Sequence, residues 1–164
     1  MALIHRKYIA LTTSATGGTE VAEKIKIRQA ADKALALRRL ILRSWGASYG
    51  GADFQSWGYL LRAPNYRVRT GQGSTLTQQR LGEDQSVIAH ALIDSLFATA
   101  VGAQIHNCVA LDIEFERDQM LLYNDVTLVG LQPAVNSAAV FWSAELYLEP
   151  VKRSGNNLYK ADMY

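Results

Sequence analysis

The chain has 164 residues and a single cysteine, Cys108. An intrachain disulfide is therefore excluded, and a core that folds in a reducing cytoplasm is expected. Histidine is nearly as scarce, with only His5, His90 and His106. No His-x-His, His-Glu-x-x-His or Cys-x-x-Cys spacing occurs, so the ligand arrays of zinc and iron sites are missing and no metal is expected. There is no Gly-x-Ser-x-Gly nucleophile elbow. Gly71-Gln72-Gly73 is not followed by Gly-Lys-Ser/Thr, so it reads as a flexible loop and not as a phosphate cradle. No run of about 18 apolar residues is present, which excludes a membrane-spanning helix. Residues 1–11 place their charges inside the apolar stretch, unlike a signal peptide. No Asn-x-Ser/Thr sequon and no internal repeat occur. These absences leave one soluble domain over 1–152 with a tail at 153–164, no cofactor and no enzyme chemistry. A chain of this length buries roughly 70% of its unfolded surface, enough for a core without staples.

Alternation of apolar and polar residues dominates what is present. In 108–116, CVALDIEFE, the residues Val109, Leu111, Ile113 and Phe115 alternate with Asp112, Glu114 and Glu116. That is a strand with one dry and one acidic face. In 141–151, Trp142, Ala144, Leu146 and Leu148 alternate with Ser143, Glu145, Tyr147 and Glu149, and Pro150 ends the strand or marks an edge. Residues 126–131 follow the Asn124-Asp125 turn as another strand. Strands are also expected over 7–13, 24–28, 38–45 and 57–62, although 33–45 has apolar spacings that suit a helix as well. Val109, Leu111, Ile113, Phe115, Trp142, Leu146 and Leu148 form the expected core. One helix is expected over 87–100, capped by 84–86, with Ile88, Leu92 and Leu96 as its stripe. The fold class is all-β, a jelly-roll-like sandwich or barrel of about eight strands with that helix in a loop insertion.

Charge is divided along the chain. Residues 1–70 hold 12 Lys or Arg and 4 Asp or Glu, net +8, while residues 71–149 hold 2 and 10, net −8. Such a chain can present opposite charge to copies of itself. Lys24, Lys26, Arg28, Arg39 and Arg43 are the candidate basic surface. No recognition helix, zinc finger or RNA-binding aromatic motif accompanies them, so a solvated or protein-contacting surface is favoured over a nucleic-acid site. Asp112, Glu114 and Glu116 alternate on one strand face and read as a solvated acidic face, because glycosidase carboxylates come from different elements across a cleft. Cys108 reads as a buried inert thiol; His106 alone supplies no electropositive setting for reactivity. Residues 45–57, with Trp45, Tyr49, Phe54 and Trp57 among glycines, read as a hairpin whose tryptophans pack inward. Alternatively they stack a sugar, in a carbohydrate-binding β-sandwich module.

The succession from 108–116 through 117–123 (RDQMLLY) and 124–128 (NDVTL), past the loop 132–137 (QPAVNS) to 140–151 (VFWSAELYLEPV), resembles the small single jelly-roll coat proteins of viruses. The resemblance implies a self-assembling virion protein without catalysis, with no cofactor. It implies folding in the host cytoplasm, and partners that are copies of the chain and other virion proteins. A non-specific nucleic-acid contact through the basic first half is compatible with it. In the tail, Leu158, Tyr159, Met163 and Tyr164 are costly to leave in water, so they are the candidate assembly contact.

Overall fold

The computed structural model describes residues 4–13, 19–27, 33–48, 54–62, 86–95, 104–117, 119–131 and 140–152. Among these, nine strands and no helix are found: β1 (His5–Thr12), β2 (Glu20–Ile25), β3 (Lys33–Ser48), β4 (Phe54–Leu61), β5 (Val87–Ser95), β6 (Gln104–Glu114), β7 (Leu121–Leu122), β8 (Val126–Leu131) and β9 (Val140–Lys152). The pairing is nested. β1 pairs with β9, β2 with β8, β3 with β6 and β4 with β5, all antiparallel. Two more ladders, β9–β3 and β8–β4, join these pairs into sheets of order β1-β9-β3-β6 and β2-β8-β4-β5. The two-residue β7 extends the first sheet beside β3. A long antiparallel hairpin rolled into two layers in this way has the jelly-roll strand order.

The inner faces meet around Trp142. Its side chain is fully buried, and its indole N–H donates to Ser56 Oγ at 2.8 Å. Ser56 in turn donates to the Leu131 carbonyl at 3.2 Å, so no polar atom of this group is stranded. Gly58 and Gly130 are cross-strand partners in the opposite sheet. A Cβ on Gly58 would lie 2.4 Å from the indole Cε3, and one on Gly130 would lie 2.6 Å from Leu11 Cδ1. The ring thus occupies space that the missing Gly58 side chain leaves open, while Leu11 and Thr13 fill the space over Gly130. Leu37, Leu40, Leu42, Leu60, Leu128, Leu146 and Leu148 complete the buried layer around it. Tyr59, Leu61, Val129 and Leu131 form a separate buried group with Trp57 and Val87 on the other face of the smaller sheet.

Strand 126–131 falls where expected, and β9 shows the expected faces. Pro150 does not end β9, which runs on to Lys152; it pairs with Leu35 and lies two residues beyond Leu148, the last β9 residue of the described β1 ladder. β2 starts earlier than the expected 24–28 and stops at Ile25. The Ile27 N–H then donates to Asp125 Oδ1 at 2.7 Å, tying this end to the turn before β8.

Two expectations are corrected. The helix over 87–100 is not formed across Val87–Ser95, which is β5; residues 96–100 lie outside the described residues. Leu61 pairs with Val87 and Leu60 with Ala89, so Ile88 is an extra, bulged residue. The bulge breaks strict alternation and leaves a helix-like spacing from Ile88 to Leu92. Ala89 and Ala91 are buried, whereas Leu92, in the expected helical stripe, is exposed. β3 shows the same effect. Leu37 and Leu40 both face the core three residues apart because Arg38 is bulged between them.

The core expectation divides. Trp142, Leu146 and Leu148 are fully buried. Leu111, Ile113 and Phe115 are half-buried, since β6 is an edge strand. Val109 is 50% exposed. Leu42 pairs with Leu111 but Arg43 pairs with Val109, so Ala110 is bulged and Val109 joins the Arg43 face.

Gly58→Ala should lower the unfolding free energy by about 1–3 kcal/mol through overpacking. Gly130→Ala should cost less, because the Leu11 and Thr13 methyls can swing aside while the indole cannot. Val109→Ala should stay within about 0.5 kcal/mol. Urea denaturation of the three variants checks this order.

Candidate functional site

The outer face of the larger sheet collects the charge. On β9, Glu145 and Glu149 alternate with Ser143 and Tyr147, and the neighbours β1 and β3 carry arginines on the same side. Arg6 Nη2 lies 2.8 Å and Arg43 Nε 3.5 Å from the Glu145 carboxylate, from opposite flanks. The Tyr147 hydroxyl donates to it at 3.2 Å. Glu149 is held by Arg117 at 3.0 Å and Arg38 at 3.5 Å. Both carboxylates are only 7% exposed. Charges so far out of water need this many partners to offset desolvation. The Arg38 bulge is what lets two consecutive arginines serve one face, with Arg38 reaching Glu149 and Arg39 reaching Asp112.

Arg39 grips Asp112 with both ends of its fork, Nε to Oδ1 at 2.8 Å and Nη2 to Oδ2 at 2.6 Å. Hydrogen bonding to Arg39 holds the Asp112 carboxyl below its ordinary range against an opposing desolvation effect, and the Arg39 and Arg43 charges act in the same direction. The same hydrogen bond raises the Arg39 guanidinium. Arg39 also lies over the Tyr147 ring, 6.0 Å from its centre.

Of the five ion pairs found on this face among the described residues, four join an arginine of the basic first half to a carboxylate of the acidic second half. The division of charge along the chain is thus used first within the fold, across the β1–β9, β3–β9 and β3–β6 ladders. The candidate basic surface is not gathered on one sheet. Arg39 and Arg43 stand on the larger sheet with carboxylate partners, whereas Lys24 is exposed on β2 of the smaller sheet and Lys26 just after it. Arg28 lies outside the described residues, as do Leu158, Tyr159, Met163 and Tyr164. Arg6, Arg38, Arg117, Glu145 and Glu149 were not singled out by sequence reasoning. Glu145 and Glu149 were visible as the polar face of 141–151, but no local pattern named their partners.

Beside the ionic rows lie exposed apolar side chains. Tyr8, on β1 at one edge, is 57% exposed; Trp45 on β3 is 45% and Val109 on β6, at the opposite edge, 50% exposed. The Trp45 ring meets Phe141 edge-on at 6.5 Å. Trp57 is elsewhere, on the outer side of the smaller sheet, 6.2 Å from the His90 ring. Trp45 therefore does not pack inward as expected, and Trp45 and Trp57 do not form one stacking platform for a sugar. Residues 49–53, the centre of that segment, lie outside the described residues. Among the described residues no three His, Cys, Asp or Glu converge as a metal site would require, and no helix is long and apolar enough to cross a membrane.

No family model and no curated protein matches the sequence. Solved structures similar to it come from viruses. A chain of Desmodium yellow mottle tymovirus is 9% identical, with 94% of this chain and 92% of that chain covered and a TM-score of 0.36. A chain from the semi-empty virus-like particle of the nodavirus of the giant freshwater prawn Macrobrachium rosenbergii is 8% identical, with coverage of 92% and 96% and a TM-score of 0.38. A turnip yellow mosaic virus chain is 10% identical, with coverage of 95% and 86% and a TM-score of 0.30. The jelly-roll assignment rests on the strand order of this chain itself.

Because the Asp112 carboxyl is depressed, the stability its pair contributes is present above the unfolded value of roughly 3.9 and is lost as pH falls through the folded value. An NMR titration of Asp112 should give a midpoint below ~3.9 that rises toward it in Arg39→Gln. An unchanged midpoint in that variant would show that the fork is not formed in solution.

Proposed function

We propose that this chain is a structural, self-assembling coat subunit of a virion, with no catalytic role. The observation that carries this reading is the outer face of the larger sheet. A lattice of ion pairs there is bordered by exposed Tyr8, Trp45 and Val109. Exposed aromatic and arginine side chains are the composition of a protein interface core, while a catalytic cleft is concave and converges polar groups. The jelly-roll strand order supports it, since that fold serves capsids and lectins. The lectin alternative is the weaker of the two because Trp45 and Trp57 stand on different sheets.

The partners in this reading are copies of the chain and other virion proteins, and its place is the virion after folding in the host cytoplasm. Leu158, Tyr159, Met163 and Tyr164 form an arm that docks on a neighbouring copy. Any nucleic-acid contact is non-specific and falls to Lys24, Lys26 and Arg28, because Arg39 and Arg43 already hold carboxylates.

Light scattering after size exclusion should find assemblies that shrink as salt rises, since charge contacts between copies are screened beyond ~8 Å at physiological ionic strength. Deleting residues 154–164 should leave a folded, soluble chain that assembles poorly. A strictly monomeric protein that binds a glycan array would overturn the coat reading in favour of the lectin.

A further inference from the structure

The larger sheet ends in two strands of opposite charge. β1 carries His5, Arg6 and Lys7 and no acid, and residues 5–8 are all exposed. β6 carries Asp112 and Glu114, both exposed, and no Lys or Arg. Arg117, just beyond it, is taken up by Glu149. Among the described residues neither strand pairs on its outer side, so each presents free backbone N–H and C=O groups. From these observations we infer that copies of this chain join head to tail, β1 of one against β6 of the next, continuing the larger sheet across the contact. This rests on the coat reading and names the surface it would use.

Strand direction permits this joint. The four long strands alternate in direction, so β1 and β6 run oppositely. A second copy placed beside β6 in the same orientation therefore offers β1 as an antiparallel partner. Register supports it too. Arg6 pairs with Tyr147, Tyr147 with Arg39 and Arg39 with Glu114, so Arg6 and Glu114 end the same row. Carrying that row into the next copy sets Glu114 opposite Arg6 on the outer face, where the largely exposed Arg6 guanidinium, already 2.8 Å from Glu145 of its own copy, would be shared between the two carboxylates. On the inner face it sets Leu111 opposite Ile9, two half-buried apolar residues that the joint would cover.

Charge also selects among the possible joints. A two-fold pairing of β1 with β1 gathers His5, Arg6 and Lys7 of both copies with no acid among them, and a pairing of β6 with β6 can set Asp112 against Glu114. Like charges directly opposite each other destabilise a ladder, and opposite charges support it. The Ala110 bulge blunts β6 beyond Leu111, confining the joint to its acidic end. A head-to-tail contact of this kind closes into rings or continues as a filament.

The test uses the full chain at low salt and two kinds of variant. Glu114→Arg should weaken association by tenfold or more in sedimentation velocity. In a Cys108→Ser background, Arg6→Cys with Glu114→Cys should oxidise to a ladder of multimers, while either cysteine alone gives none. Dimers from Glu114→Cys alone would mean that β6 pairs with β6, and would overturn the head-to-tail joint. Normal assembly in Glu114→Arg with no cysteine ladder would overturn the joint and leave the coat reading standing. A wild-type chain that stays monomeric at high concentration and low salt would overturn both.

Discussion

The two sheets close on the fit of one ring against one bare glycine. Trp142 lies on Gly58 of the Gly58–Gly130 pair, where a Cβ would come 2.4 Å from the indole; at Gly130 a Cβ would come 2.6 Å from Leu11, so neither place takes a larger residue without movement. Face-to-face sheets normally hold their spacing with interdigitating side chains. Here one large side chain from β9 meets a strip of bare backbone on β4 and β8. Its N–H is satisfied by Ser56 on the same strand as Gly58. Size, shape and polarity are thus matched across the layers at a single point. The pair belongs to the β4–β8 ladder and the ring to β9 between β1 and β3, so the contact holds both sheets in register.

With the inner faces fixed in this way, the outer face of the larger sheet inherits its order. Because Trp142, Leu146 and Leu148 must point inward, Glu145, Tyr147 and Glu149 must point outward. The acidic residues of β9 then stand between basic flanks, and their burial makes their arginine partners necessary. Only two exposed carboxylates of β6, Asp112 and Glu114, lie at the rim, opposite the basic rim at β1. One division of charge therefore stabilises the sheet in its middle and leaves unlike charges at its two edges.

Local pattern was enough for much of this. The alternation in 141–151 was unbroken and that strand has the expected faces, and 126–131 forms the strand expected there. The basic first half and acidic second half were plain from counting. The jelly-roll order agrees with the resemblance drawn from the strand texture of the second half. Residues 87–95 misled because Val, Ile, Ala and Leu at i and i+4 satisfy a helix as well as a bulged strand. Val109 misled because the alternation that seemed to run through 108–116 is interrupted at Ala110.

The sequence by itself determined several of the extended stretches, though not 87–95, and which residues of an unbroken strand share a face, because side-chain direction alternates with every residue. It also determined that opposite charges were available. Tertiary structure decided which strand lies beside which, and so which arginine meets which carboxylate. It also decided the positions of the bulges at Arg38, Ile88 and Ala110. A bulge is a mismatch between two paired strands, two residues against one, and neither strand records it alone. Two of these bulges moved a side chain onto the candidate surface, Val109 at Ala110 and Arg38 beside Glu149.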